Sequence, residues 1–156
     1  MKYPIGTQTF STIVEEGMVY VDKTPLVYDL AQKHICFLCR PRRFGKSLLI
    51  STLECYFKGK KELFKGLEME KLEKDWKQSP VFRIDFAQGN FKDPNYIPST
   101  MSNYLDKWES EYGVVSKYNE IGVRLRSCRH HRRDRRLHLY LRVQARRHGS
   151  RSPQAD

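Results

Sequence analysis

Residues 35–57, ICFLCRPRRFGKSLLISTLECYF, constrain this chain more than any other stretch. A continuous apolar run, Ile35 to Cys39, meets a basic loop punctuated by Pro41 and Gly45. A short apolar run bounded by turn signals reads as a strand buried on both faces, as in a parallel sheet. Residues 46–57 then repeat apolar side chains at helical spacing and predict a helix. Strand, loop and helix in that order make the first half of a βα unit.

The loop ends like a phosphate cradle. In the pattern G-x-x-x-x-G-K-[ST], glycine-rich backbone curls so that successive N–H groups face phosphate oxygens. The lysine reaches the β- and γ-phosphates, and the hydroxyl binds Mg²⁺. Gly45, Lys46 and Ser47 supply the second half, and the dipole of the following helix favours an anion there. The first glycine is replaced by Arg40. The candidate nucleotide-binding residues are Pro41, Arg42, Arg43, Phe44, Gly45, Lys46, Ser47 and Leu48, with Ser47 also the candidate Mg²⁺ hydroxyl. The competing reading is a basic loop that merely caps a helix.

The rest of residues 1–113 alternates strand and helix signals. MVYVDKT (18–24) alternates apolar and polar residues. Residues 25–33 predict a helix, with Thr24 as N-cap and Pro25 at the first helical position. Residues 58–78 are charged with sparse apolar anchors and predict short helices. SPVFRIDF (79–86) predicts a second buried strand, and residues 99–113 an amphipathic helix. The order implies an α/β fold with a parallel sheet and flanking helices.

A chain of 156 residues suits one domain. No apolar run reaches the ~18 residues of a membrane span. The N-terminal MKYPIGTQTFSTIVEEG has no signal-peptide core, so a cytoplasmic location with reduced cysteines is expected. Cys36-x-x-Cys39 has the spacing of a metal pair. Alternation along a strand places the two on opposite faces, so core packing is the expected role.

Three stretches carry a family resemblance: YPIGTQTFSTIVEEGMVYVDKTPLVYDL, RPRRFGKSLLISTLECYFKGKKELFKGLEMEKLEKDW and SPVFRIDF. Over about residues 1–113 the chain resembles the AAA-ATPase-like family of bacterial proteins. Its members typically join an N-terminal P-loop domain to a C-terminal PD-(D/E)XK nuclease-like domain. The family's own loop reads RPRRFGKS, so the resemblance implies that Arg40 is normal. It also implies a P-loop NTPase (RecA/AAA-like) sheet, incomplete in this chain, binding ATP or another NTP with Mg²⁺. Hydrolysis further requires a Walker B carboxylate. The family's strand ending in Asp-Glu has no counterpart in these 156 residues. Asp85, closing VFRIDF, is the nearest candidate for a magnesium or water ligand; its alternative is a strand-end residue.

After Gly113 the texture changes. Residues 114–156 hold twelve Lys and Arg against three Asp and Glu, a net of +9 out of the chain's +11. The Arg, His, Leu, Gln and Pro bias of residues 124–156 is what C-rich third codon positions give when read one base out of frame. Codons allowed for residues 126–156, shifted by one base, can encode a nuclease-like string with Asp … Glu-x-Lys. Residues 114–156 are therefore expected to be a frame-shifted, disordered basic tail on a truncated P-loop domain. The expected function is nucleotide binding without hydrolysis. The alternative is non-specific nucleic-acid binding through the tail.

Overall fold

The structure, a computed structural model, describes residues 1–33, 35–39, 41, 43–85, 92–114, 119–130 and 138–142; beyond Cys128 it describes backbone alone. The chain divides into two compact units. One is Met1–Val81 with 134–138, and the other is Phe82–Arg133 with Leu139 onward.

The first unit is built from helices α1 (Phe10–Glu15), α2 (Thr24–Ala31), α3 (Lys46–Phe57) and α4 (Glu68–Leu72), with a 3₁₀ turn at Lys61–Phe64. Helix α3 packs against α1 and α2, and α2 also packs against α4. The C-terminal half of α3 buries Leu53, Cys55, Tyr56 and Phe57. Phe10 and Phe64 are fully buried, with ring centroids 4.9 Å apart. Tyr20 meets Phe10 edge-on, and Trp76 meets Phe64 and Tyr56. Burying each phenylalanine contributes up to about 3 kcal/mol. A polar contact fixes how α1 enters this cluster: the Phe10 amide donates to Ser51 Oγ at 3.0 Å.

Gly59 ends the α3 turn with φ +66°. A Cβ there would meet Gln78 Cγ at 2.7 Å, because the returning 76–78 segment lies across it. The Ser79 amide then donates to the Phe57 carbonyl at 2.7 Å.

The second unit begins within β1 (Val81–Asp85) and contains α5 (Tyr96–Tyr112) and α6 (Ile121–His130); β1 pairs with β2 (His138–Arg142) in a two-stranded sheet. Phe82 is fully buried against Trp108, centroids 4.6 Å apart and rings nearly perpendicular. Gly113, at φ +66°, stops α5. Arg124 holds α6 on α5. Its guanidinium donates to both carboxylate oxygens of Glu109 at 2.9 and 2.8 Å, to Ser102 Oγ at 3.1 Å, and to Asp106.

Three expectations change. The parallel P-loop sheet is not seen among the described residues, where the architecture is mixed helix with one two-stranded sheet. The 35–39 run forms no helix, turn or bend and joins no ladder with a described residue, and Ile35 and Phe37 are each 91% exposed. A strand exists only through its neighbours, and no described neighbour covers this one. Part of the tail expected to be disordered forms α6, where Arg124 meets carboxylates on α5, and β2, which pairs with β1. Residues 115–118, 131–137 and 143–156 of that tail lie outside the described residues.

Arg124→Ala removes the guanidinium and leaves the largely buried Glu109 carboxylate without it. The variant is expected to lose about 2–4 kcal/mol of stability, read as a lower urea midpoint. An unchanged midpoint would show that α6 adds nothing to the fold.

Candidate functional site

The Gly45–Ser47 loop gets its shape from backbone sign changes. Gly45 is the N-cap of α3 at φ 70°, ψ 17°, in the left-handed region. Arg43 also has a positive φ, 65°, whereas Phe44 between them does not. Alternation of this kind curls consecutive N–H groups toward one side and makes a concavity suited to an anion. Only glycine adopts the Gly45 geometry freely. The space above it is open, since an added Cβ would meet nothing within 4 Å.

The lysine closes the loop. Lys46 Nζ donates to the Pro41 carbonyl at 2.6 Å, so the ammonium spans the loop from its last turn to its entry. Pro41, Arg43, Phe44 and Gly45 are exposed, while Lys46, Ser47 and Leu48 are half-buried at the start of α3. Ser47 is the second residue of that helix. The amides of a helix's first turn have no intrahelical acceptor, which adds donors at this end. Arg40 and Arg42 lie outside the described residues.

Asp85 belongs to the other unit. It is half-buried at the end of β1. Its amide donates to Tyr104 Oη at 3.0 Å, and that hydroxyl donates to the Asp85 carbonyl at 3.3 Å. Tyr104 thus fixes the strand end; Phe86 lies outside the described residues. No group of three or more His, Cys, Asp or Glu capable of holding a metal occurs among the described residues. Cys36 and Cys39, expected in a core, are both exposed.

The sequence pattern underrated Asp22 and Thr24. Asp22 Oδ1 accepts from the Thr24 amide at 2.8 Å and the Thr24 hydroxyl at 2.7 Å. Asp22 Oδ2 accepts from the Glu68 amide at 2.8 Å, and Thr24 Oγ1 from the Met69 amide at 3.0 Å. Two side chains at the start of α2 therefore cap α4, far along the chain. The N-cap expected at Thr24 is instead Lys23, and Thr24 is the first residue of α2, its amide and hydroxyl held by Asp22. The α4 partner was not readable, because it depends on packing. Partial burial pulls the Asp22 carboxyl upward. The bonds from the Glu68 amide and from Thr24 prevail and hold it below its ordinary value.

A model of proteins described as "Predicted AAA-ATPase" matches residues 4–151. This chain belongs to the predicted AAA-ATPase family. The match takes in residues of both units and continues past Gly113, where the resemblance read from sequence stops. A curated protein of Azotobacter chroococcum mcd 1, named as an uncharacterized protein in the vnfD 5′ region, is 38% identical over 126 residues. The alignment covers 79% of this chain and 24% of that protein. The chain thus spans about a quarter of the length of the relative it matches. No solved structure matches.

Asp22→Ala is expected to cost about 1–2 kcal/mol at neutral pH. Because the folded carboxyl titrates below the unfolded one, the unfolded state binds more protons between the two values. Stability therefore rises with pH there. The contribution is complete above the unfolded value of about 4 and fades as pH falls through the folded one. Urea midpoints at pH 7 and at pH 3 should differ less in Asp22→Ala than in the native chain.

Proposed function

We propose that this member of the predicted AAA-ATPase family is a nucleotide-binding module that grips the phosphates of ATP or another NTP with its Gly45–Ser47 loop. The observation that carries the reading is the left-handed Gly45 capping α3 beneath open space, with the Lys46 ammonium held across the same loop. These residues suit a polyphosphate. The curled backbone of 43–45 offers N–H donors, and Gly45 allows close approach. Lys46 would exchange the Pro41 carbonyl for phosphate oxygens, a stronger charge-assisted partner. Exposed Arg43 adds positive charge at the mouth, and Ser47 would offer its hydroxyl to Mg²⁺. Bound Mg²⁺ supplies charge neutralisation between the phosphates.

Hydrolysis is not part of the proposal for these 156 residues. It needs an acid that holds Mg²⁺ and a group that positions water. Asp85 is the sole candidate put forward for the first task, and its backbone is tied down by Tyr104. A complete parallel P-loop sheet in which 35–39 is a paired strand would require further strands. The excess positive charge of 114–156 favours a second property, salt-sensitive and sequence-independent binding of nucleic acid. The frame-shifted origin of that tail remains a proposal that the coding DNA decides.

Titration of the full chain with a fluorescent ATP analogue and Mg²⁺ tests the main reading. Lys46→Ala should weaken binding by about 2 kcal/mol, roughly thirtyfold, with unchanged far-UV circular dichroism. Equal affinity in the variant would discard the loop as the site. Phosphate release above background that disappears in Lys46→Ala would discard the binding-only reading.

A further inference from the structure

The four cysteines of this chain fall into two kinds. Cys55 and Cys128 are buried, and burial pushes both thiols above the ordinary value. Such thiols are slow to react, since the thiolate is the nucleophile and access is blocked. Cys36 and Cys39 are exposed and separated by two residues, in a stretch that holds no helix, turn or bend and joins no ladder with a described residue. That stretch leads into the phosphate loop. Pro41, two positions beyond Cys39, supplies the carbonyl that holds Lys46.

We propose that Cys36 and Cys39 form a redox-active dithiol that small-molecule disulfides oxidise to an intramolecular bridge, and that this bridge reshapes the entry to the phosphate loop. The segment holds no turn or bend, and residues three apart in a fully extended chain span about 10 Å between Cα atoms. A disulfide needs less than about 7 Å. The bridge therefore requires 36–39 to bend into a turn that the described segment does not contain. Nothing in the described structure opposes the bend. Ile35 and Phe37 are already in solvent, so turning the segment sacrifices little burial. Closing so short a loop is also entropically cheap.

The chemistry balances. One thiolate of the pair attacks the small disulfide, forming a mixed disulfide and releasing one small thiol. The second thiolate then attacks the protein sulfur of that mixed disulfide, and a second small thiol leaves. The pair loses two electrons and two protons, which reduce one small disulfide to two thiols. Excess dithiol reductant reverses both steps.

The coupling to Lys46 rests on the nucleotide-binding reading above, whereas the bridging chemistry does not. The full chain is incubated with oxidised glutathione, then alkylated and mapped by mass spectrometry. A mass loss of two hydrogen atoms confined to the peptide holding Cys36 and Cys39 is expected, with Cys55 and Cys128 alkylated only after denaturation. Cys36→Ser should instead stop at a glutathione adduct on Cys39. Mixed adducts on both native cysteines, with no bridge, overturn the proposal. Hydrogen exchange of residues 41–48 is then compared between the reduced and bridged chains. A difference of at least threefold is expected, and equal exchange overturns the coupling whether or not nucleotide binds. In a chain that binds the ATP analogue, bridging should weaken affinity at least tenfold, and Cys36→Ser treated alike should keep the reduced value. A reduced chain that binds no nucleotide, yet bridges and shows the exchange difference, refutes the phosphate reading and leaves the dithiol standing.

Discussion

Helix α3 is held at both ends by glycines in a conformation other residues avoid. Gly45 starts it at φ +70°, and Gly59 follows its last turn at φ +66°. The first aims the helix's orphan amides and its positive dipole end at the loop. The second turns the chain sharply enough for 76–78 to return across the C-terminal end, where Trp76 joins the aromatic cluster. Between these fixed ends α3 presents Ser51 to α1 and Tyr56 and Phe57 to the core. The loop's geometry and the unit's packing are thus consequences of one helix whose register cannot slide.

The capping by Asp22 and Thr24 adds a second level of dependence. Helix α4 is only five residues long and would not form alone. Its first amides are satisfied by two side chains from the start of α2, one of them fully buried. A short helix with imported caps lets the unit close its core with Met69 at 0% exposure. Asp22 lies outside the phosphate loop, so its contribution is to the scaffold that carries α3.

Local signals were legible and non-local ones were not. The helix expected at 46–57 is Lys46–Phe57, and the strand expected at 79–86 is Val81–Asp85. The helix expected at 99–113 is Tyr96–Tyr112. Each rests on periodicity and on nearby caps or turn residues. The 35–39 run misled because apolar content announces a wish for burial without naming what provides it. A helix satisfies its backbone internally, whereas a strand needs a partner from elsewhere in the chain. The same limit hid the α4 caps. Of the candidate site, the loop residues could be named from sequence, but the left-handed Arg43 and the Lys46–Pro41 bond could not.

Arg124 decides how the basic region should be weighed. Its composition alone argues for a solvated, unstructured tail, because like charges repel and few apolar residues remain to pack. One arginine facing Glu109, Asp106 and Ser102 changes that balance locally. The guanidinium fork meets a carboxylate pairwise, and Cys128 is buried one helical turn further on. Net charge therefore predicts solvation only where no complementary surface exists. Helix α5, with carboxylates at 106 and 109, is that surface for α6.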